Sequence, residues 1–118
     1  MKNASNPKEV VRSFLDALNK QDLKAARGRM NDALRFTAPD GAPIEGADAY
    51  LAGWKPLGLS YAIRKTFVDG EDVCALYDLT FSKLAVTLFA CGWYHVNRGK
   101  IDSIKVIFDP RPLLERRK

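Results

Sequence analysis

The chain changes its hydrophobic period once, near Gly58, and that change confines it to folds in which helices and strands are segregated along the sequence. Ahead of Gly58, Val10, Val11, Phe14, Leu15 and Leu18 recur at helical spacing. Behind it, Tyr61 to Val68, Val73 to Phe81, Ala85 to Val96 and Ile101 to Phe108 are rich in β-branched and aromatic residues, punctuated by Asp69-Gly70 and Asn97-Arg98-Gly99. This spacing predicts four antiparallel strands joined largely by hairpins.

The helices carry their own start and stop signals. Asn6-Pro7-Lys8-Glu9 supplies a capping side chain, a proline at the first helical position and a glutamate three residues after the cap, so a first helix is expected up to about Lys20. Asp22 can cap a second through Met30, with Leu23, Ala26 and Met30 inward. A third is expected over Ala47 to Trp54 or Lys55, stopped by Pro56. Between them Phe36-Thr37 and Pro43-Ile44 flank the Asp40-Gly41 turn and predict a small hairpin. The expected fold class is therefore α+β, with three helices on one face of a curved, mainly antiparallel sheet.

At 118 residues this is one domain, residues 1 to 118, large enough for a core without metal or disulfide support. The longest uncharged stretch, Leu84 to Tyr94, is too short to span a bilayer as a helix, so no membrane is expected. The opening MKNASNPKEVV contains no apolar signal segment, which makes the cytoplasm the expected compartment and Cys74 and Cys91 reduced, buried small residues. A net charge of +5 raises the question of nucleic acid, but the cations are spread along the chain. The one dense cluster, residues 115 to 118, reads as a solvated tail, and no nucleic-acid partner is expected. No histidine, cysteine or acid cluster has metal-ligand spacing, and neither a metal nor another cofactor is expected.

Four stretches, "VVRSFLDALNKQDLKAARGRM", "IEGADAYLAGW", "FVDGEDVCALYDLTF" and "YHVNRGKIDSIKVIFDPRPL", together resemble the nuclear transport factor 2-like superfamily, its SnoaL-like branch in particular. The most specific part is the last, where Gly99-Lys100-Ile101 leads into a strand closing on Phe108-Asp109-Pro110. The resemblance implies a cone of three helices wrapped by a strongly curved sheet, a homodimer through the convex sheet face, and a pocket for a small apolar ligand. The superfamily includes ketosteroid isomerases, polyketide cyclases, limonene-type epoxide hydrolases and binding modules without chemistry, so fold alone does not decide function.

Position by position, the resemblance removes two known reactions. Where a ketosteroid isomerase has its tyrosine, general base and second oxyanion donor, this chain has Phe14, Ala38 and Gly92. Where a limonene-type epoxide hydrolase holds and activates water, the chain has Phe36, Ala38, Leu76 and Val106, and only Asp78 of that set is kept. Without a base and donors for the developing charge, neither reaction is supported.

The resemblance places Leu76, Asp78, Gly92 and Tyr94 inward, with Ile104, Val106 and Phe108 on the last strand and Phe14, Phe36, Ala38 and Trp54 completing the pocket. On that frame Ile101, Ser103, Lys105 and Ile107 face out, as do Tyr77, Leu79, Trp93 and His95. Strand alternation alone disagrees at one point: Val73, Ala75, Tyr77, Leu79 and Phe81 form the more apolar face, which sends Asp78 outward. With the resemblance followed, Asp78 and Tyr94 are the expected acid-base and donor groups of an isomerase, cyclase or hydrolase type of enzyme. A non-catalytic ligand-binding or dimerisation module is the other reading.

Overall fold

The structure, a computed structural model, describes residues 6 to 116. The first five residues, part of the opening without an apolar signal segment, and residues 117 and 118 of the expected tail lie outside the described residues.

Helix α1 spans Pro7–Asn19, with the Asn6 side chain accepting from the Glu9 amide as its cap. Its inward stripe of Val10, Val11, Phe14, Leu15 and Leu18 is fully buried. Helix α2 spans Leu23–Gly28 behind an Asp22 cap. It ends two residues earlier than Met30, because Gly28 is a poor helix former and the chain there is recruited into a sheet. Strand β1 accordingly runs over Met30–Thr37, well beyond the expected Phe36-Thr37, and pairs with β2, Pro43–Glu45. Arg27 ties this corner together, donating to Asp32 at 2.6 Å and to Asp48 at 2.9 Å.

Helix α3, Ala47–Trp54, passes through a 3-10 turn at Lys55–Leu57 into β3, Leu59–Asp69. Strand β4 covers Asp72–Phe81, and after a second 3-10 turn at Ser82–Leu84 come β5, Val86–Asn97, and β6, Lys100–Ile107. The β5–β6 hairpin closes with Arg98 and Gly99 both at positive φ, 56° and 78°, the twist that suits a two-residue hairpin turn. A short helix α4, Arg111–Arg116, follows β6 and takes in Glu115, which is exposed, and Arg116 of the expected tail.

The six strands form one curved sheet in the order β2-β1-β6-β5-β4-β3, antiparallel except for the β1–β6 pair. The fold is the α+β cone expected, with α1 packed into the hollow of the sheet. Burial alternates without a break along β4 and β5 and so reports which face lines the hollow. Val73, Ala75, Tyr77, Leu79 and Phe81 are inside, as are Ala90, Gly92, Tyr94 and Val96 of β5.

The frame of β4 is thus the one that alternation favoured, and the inward placement of Leu76 and Asp78 is corrected by one residue. Tyr77 and Leu79 are likewise inside, not on the convex face. Register gives the reason: Ala75 pairs with Gly92, Tyr77 with Ala90 and Asp78 with Phe89, so a strand that turns Gly92 and Tyr94 inward forces Asp78 out. A second correction follows on β6. A register shift between His95 and Val96 puts Ile101 inside, fully buried, while Ser103, Lys105 and Ile107 stay outside. Cys74 and Cys91 are free and only half-buried on the outer face, where full burial was expected.

Candidate functional site

Inside the cone lies a cavity of about 270 Å³, open at the end where the β1–β2 hairpin, the 3-10 turn after α3 and the end of β6 meet. Of the residues expected in the pocket, Phe36, Ala38, Trp54, Val106 and Phe108 stand in its wall. Phe14 and Ile104 are buried beside it without reaching it. Tyr94 and Gly92 lie one layer behind, and Leu76 and Asp78 are on the other face of the sheet. Asp78 meets Arg64 there at 3.2 Å, a cross-strand ion pair. Its removal from the cone is the largest correction to the expected site.

Residues that the sequence reasoning did not single out make most of the wall. Ile44, Leu57, Leu59, Leu79 and Phe81 contribute apolar surface, and Tyr50, Tyr61 and Tyr77 contribute phenols. Alternation along β4 already carried Tyr77 and Leu79. Tyr50 had only its place on α3, a helix whose apolar residues run around most of its circumference, and no spacing signal marks a wall residue there.

The aromatic residues hold one another at defined angles. Tyr61 and Tyr77 meet edge to face, with centroids 5.1 Å apart, and Phe36 packs on Tyr50 at 5.0 Å. Tyr61 is fixed from the opposite side by Asn19 at the end of α1, whose side chain accepts from the Tyr61 amide at 2.7 Å and donates to its carbonyl at 2.8 Å. That pair of bonds imitates a strand partner on the open edge of β3.

The polar atoms of the site form two small groups. Trp54 donates its indole N–H to the Tyr61 hydroxyl at 2.8 Å, with the Tyr50 hydroxyl next to Tyr61. The Tyr77 and Tyr94 hydroxyls share a hydrogen bond of 2.9 Å. That second pair crosses over Gly92, where a Cβ would stand 2.5 Å from the Tyr77 hydroxyl and 2.6 Å from the Tyr94 ring, so only glycine leaves room for it. Burial pushes the Tyr61 phenol up to about 12, against the opposing pull of the hydrogen bond it accepts from Trp54 and of the neighbouring Tyr50 hydroxyl. The phenols of Tyr50, Tyr77 and Tyr94 are also raised, again chiefly by burial. All four are therefore neutral at physiological pH.

Among the described residues, no carboxylate, histidine, lysine or arginine is part of the cavity wall. Among the described residues, no three histidine, cysteine or acidic side chains are grouped as metal ligands. The one histidine lies outside the cone, where His95 meets Asp102 through Nδ1 at 2.8 Å and Glu71 through Nε2 at 3.5 Å. Beside it Trp93 donates to Asp72 at 2.9 Å.

A helix-filled cone of curved sheet around an aromatic cavity is the architecture of the nuclear transport factor 2-like superfamily. The model of the SnoaL-like domain matches residues 11–104, and the chain belongs to that family. It is 35% identical to a nuclear transport factor 2-like protein of unknown function from Cytophaga hutchinsonii, over 92% of this chain and 94% of that one, with a TM-score of 0.86. An LEH-like epoxide hydrolase from M. tuberculosis is 22% identical over 92% of this chain and 86% of its own, with a TM-score of 0.79. For a putative ketosteroid isomerase from Kribbella flavida the values are 17%, 92%, 82% and 0.80. At the identities of these last two the likeness is one of fold. No curated protein matches the chain.

Proposed function

We propose that the chain binds a small, largely apolar molecule inside the cone and does no acid-base chemistry on it near neutral pH. The observation that carries this reading is the cavity itself: about 270 Å³, walled by apolar and aromatic side chains, with neutral phenols and an indole as its polar groups. An engineered apolar cavity of about 150 Å³ is enough to hold benzene, so a molecule of one or two rings suits this volume. The hydrolase and isomerase names among the structural neighbours belong to reactions that need a base, and the one acid that resemblance offered, Asp78, is paired with Arg64 outside. Calorimetric titration with tetralin, an apolar bicycle, tests the reading. One molecule should bind per chain, and Val106→Phe, which fills the cavity from β6, should weaken binding at least about tenfold while the circular dichroism spectrum is kept. Equal binding by both proteins would put the ligand elsewhere and overturn the reading.

The outer face of the sheet supports a second element of the proposal, a homodimer. Phe89, Trp93 and Ile107 are 60%, 49% and 58% exposed there. Cys74, Leu76 and Cys91 lie between them on neighbouring strands, which makes a continuous apolar patch of the kind that is rarely left in water. Asp72 borders this patch on β4, and Arg35 and Lys105 border it on β1 and β6. A second copy turned by a two-fold axis presents the same patch with its charged margins exchanged, which is the self-complementarity that a two-fold interface requires.

A further inference from the structure

Strand β3 ends the sheet on one side, so one of its edges has no strand partner. Which backbone groups face that edge follows from the register. Asn19 bonds both the amide and the carbonyl of Tyr61, so these point away from β4, and two positions on those of Ile63 do the same. The bulge at Arg64 leaves Ile63 opposite Tyr77 and Lys65 opposite Leu76. That moves the alternation by one and passes the open positions to Thr66 and Val68. The far end agrees: Asp69 and Asp72 flank the two-residue Gly70-Glu71 turn as a bonded pair, which leaves the Val68 groups on the free edge.

Asn19 serves Tyr61 alone, and beyond it the edge stands open. The apolar side chains there are exposed, Ile63 by 39%, Phe67 by 53% and Val68 by 48%. Beside this stretch lies the start of α1, where Lys8 and Arg12 border a groove of about 370 Å³ together with Ile63, Arg64, Lys65 and Thr66. Arg64 is held by Asp78, but among the described residues Lys8, Arg12 and Lys65 are in no ion pair. The acids near the groove, Glu9 and Asp16, border its other half, toward Asn19 and Tyr61. The cationic half therefore coincides with the open backbone.

We propose that this edge docks an extended acidic peptide of another protein, added as a strand beside residues 63–68 with its carboxylates against Lys8, Arg12 and Lys65. Main-chain bonds to the edge supply the pairing, and the three cations select the sign of the partner. Asn19, by occupying Tyr61, marks where the added strand ends. A second copy of the chain is the occupant that an open edge ordinarily invites. Here it is disfavoured, because two copies laid antiparallel on this stretch bring Arg64 and Lys65 of one edge against those of the other, and like charges across a strand pair are destabilising.

The test uses the full chain and two labelled peptides, VDVEVDV and VTVTVTV, in about 0.1 M salt, where distant charges are screened. The acidic peptide should bind saturably and at least about tenfold more tightly than the neutral one, the effect of two or three exposed charge pairs. Lys8→Glu combined with Lys65→Glu should abolish that preference. With the acidic peptide bound, hydrogen exchange at the amides of Ile63, Thr66 and Val68 should slow at least about tenfold, while that of Tyr61, already bonded to Asn19, should not change. Should the double variant lose its circular dichroism spectrum, the two peptides and the exchange pattern on the unaltered chain decide alone. Equal affinities, no binding, or binding without protection of those three amides would overturn the proposal. An oligothymidylate bound more tightly than the acidic peptide would make the groove a general polyanion site and overturn it as well. Protection of the same amides that grows with protein concentration, in the absence of peptide, would put a second copy on the edge and overturn the choice of partner.

Discussion

Gly92 shows how one missing side chain shapes the site. The absence of a Cβ lets two phenols meet above β5, and the same position is where an isomerase would need an acid. A methyl group there would collide with two buried rings that have no room to turn, so Gly92→Ala should destabilise the fold by roughly 1–3 kcal/mol, the usual cost of overpacking, read as a lower midpoint in urea. His95 gives a second residue-scale test. Its hydrogen bond to Asp102, with the charges of Asp102, Asp72 and Glu71, raises its pKa above the ordinary 6.5 in spite of some desolvation. Because the folded value is the higher one, the stabilisation is fully present below about pH 6.5 and is lost as pH rises through the raised value. Asp102→Asn should therefore lower the His95 midpoint seen by NMR and flatten the fall in stability that sets in above about pH 6.5. An unchanged midpoint would mean that Asp102 does not hold the ring.

At the level of elements, β4 is where sequence and structure part most instructively. Its alternation of Val73, Ala75, Tyr77, Leu79 and Phe81 marked the buried face correctly, and the family frame displaced it by one residue. A slip of one exchanges the two faces of a strand completely, so it moved Asp78 into the site and Tyr77 out of it at once. The consequence can be tested directly. Asp78→Asn should cost no more than about 1 kcal/mol of stability, as expected for a largely solvent-facing ion pair, and leave ligand affinity unaltered. Loss of binding would return Asp78 to the site. The α1–β3 junction is the opposite case, a feature that no periodicity announced. Asn19 ends a helix by satisfying the backbone of Tyr61 across 42 positions of sequence, and only the folded chain brings them together. Asn19→Ala leaves that amide and carbonyl unpaired, and about 1–3 kcal/mol of destabilisation is expected.

For the molecule as a whole, the change of period at Gly58 was enough to read the α+β class and the strand count of the second half, and the Asn6-Pro7-Lys8-Glu9 start signal gave the position of α1. The length of β1 was hidden, because Met30 finds its partner in Ile101 of β6, about seventy residues away, and the pairing is interrupted from there to Arg35, while the local sequence reads as the end of a helix. Roughly half of the expected pocket residues do line the cavity, namely Phe36, Ala38, Trp54, Val106 and Phe108. The tyrosines that give it polarity were legible only where alternation reached them. If the outer face pairs two copies, light scattering at micromolar concentration should give twice the chain mass, and Trp93→Asp should return the monomer; a monomeric parent chain would contradict the proposed interface. The central claim, a cavity that binds through shape and apolar surface without an acid-base group, is tested most directly by the affinity for tetralin between about pH 5 and pH 8. The wall phenols, with Tyr61 raised to about 12 and Tyr50 and Tyr77 raised well above the ordinary range by burial, do not titrate in that interval, so the affinity should stay constant within about twofold. No binding, or a tenfold change following a single ionisation, would contradict it.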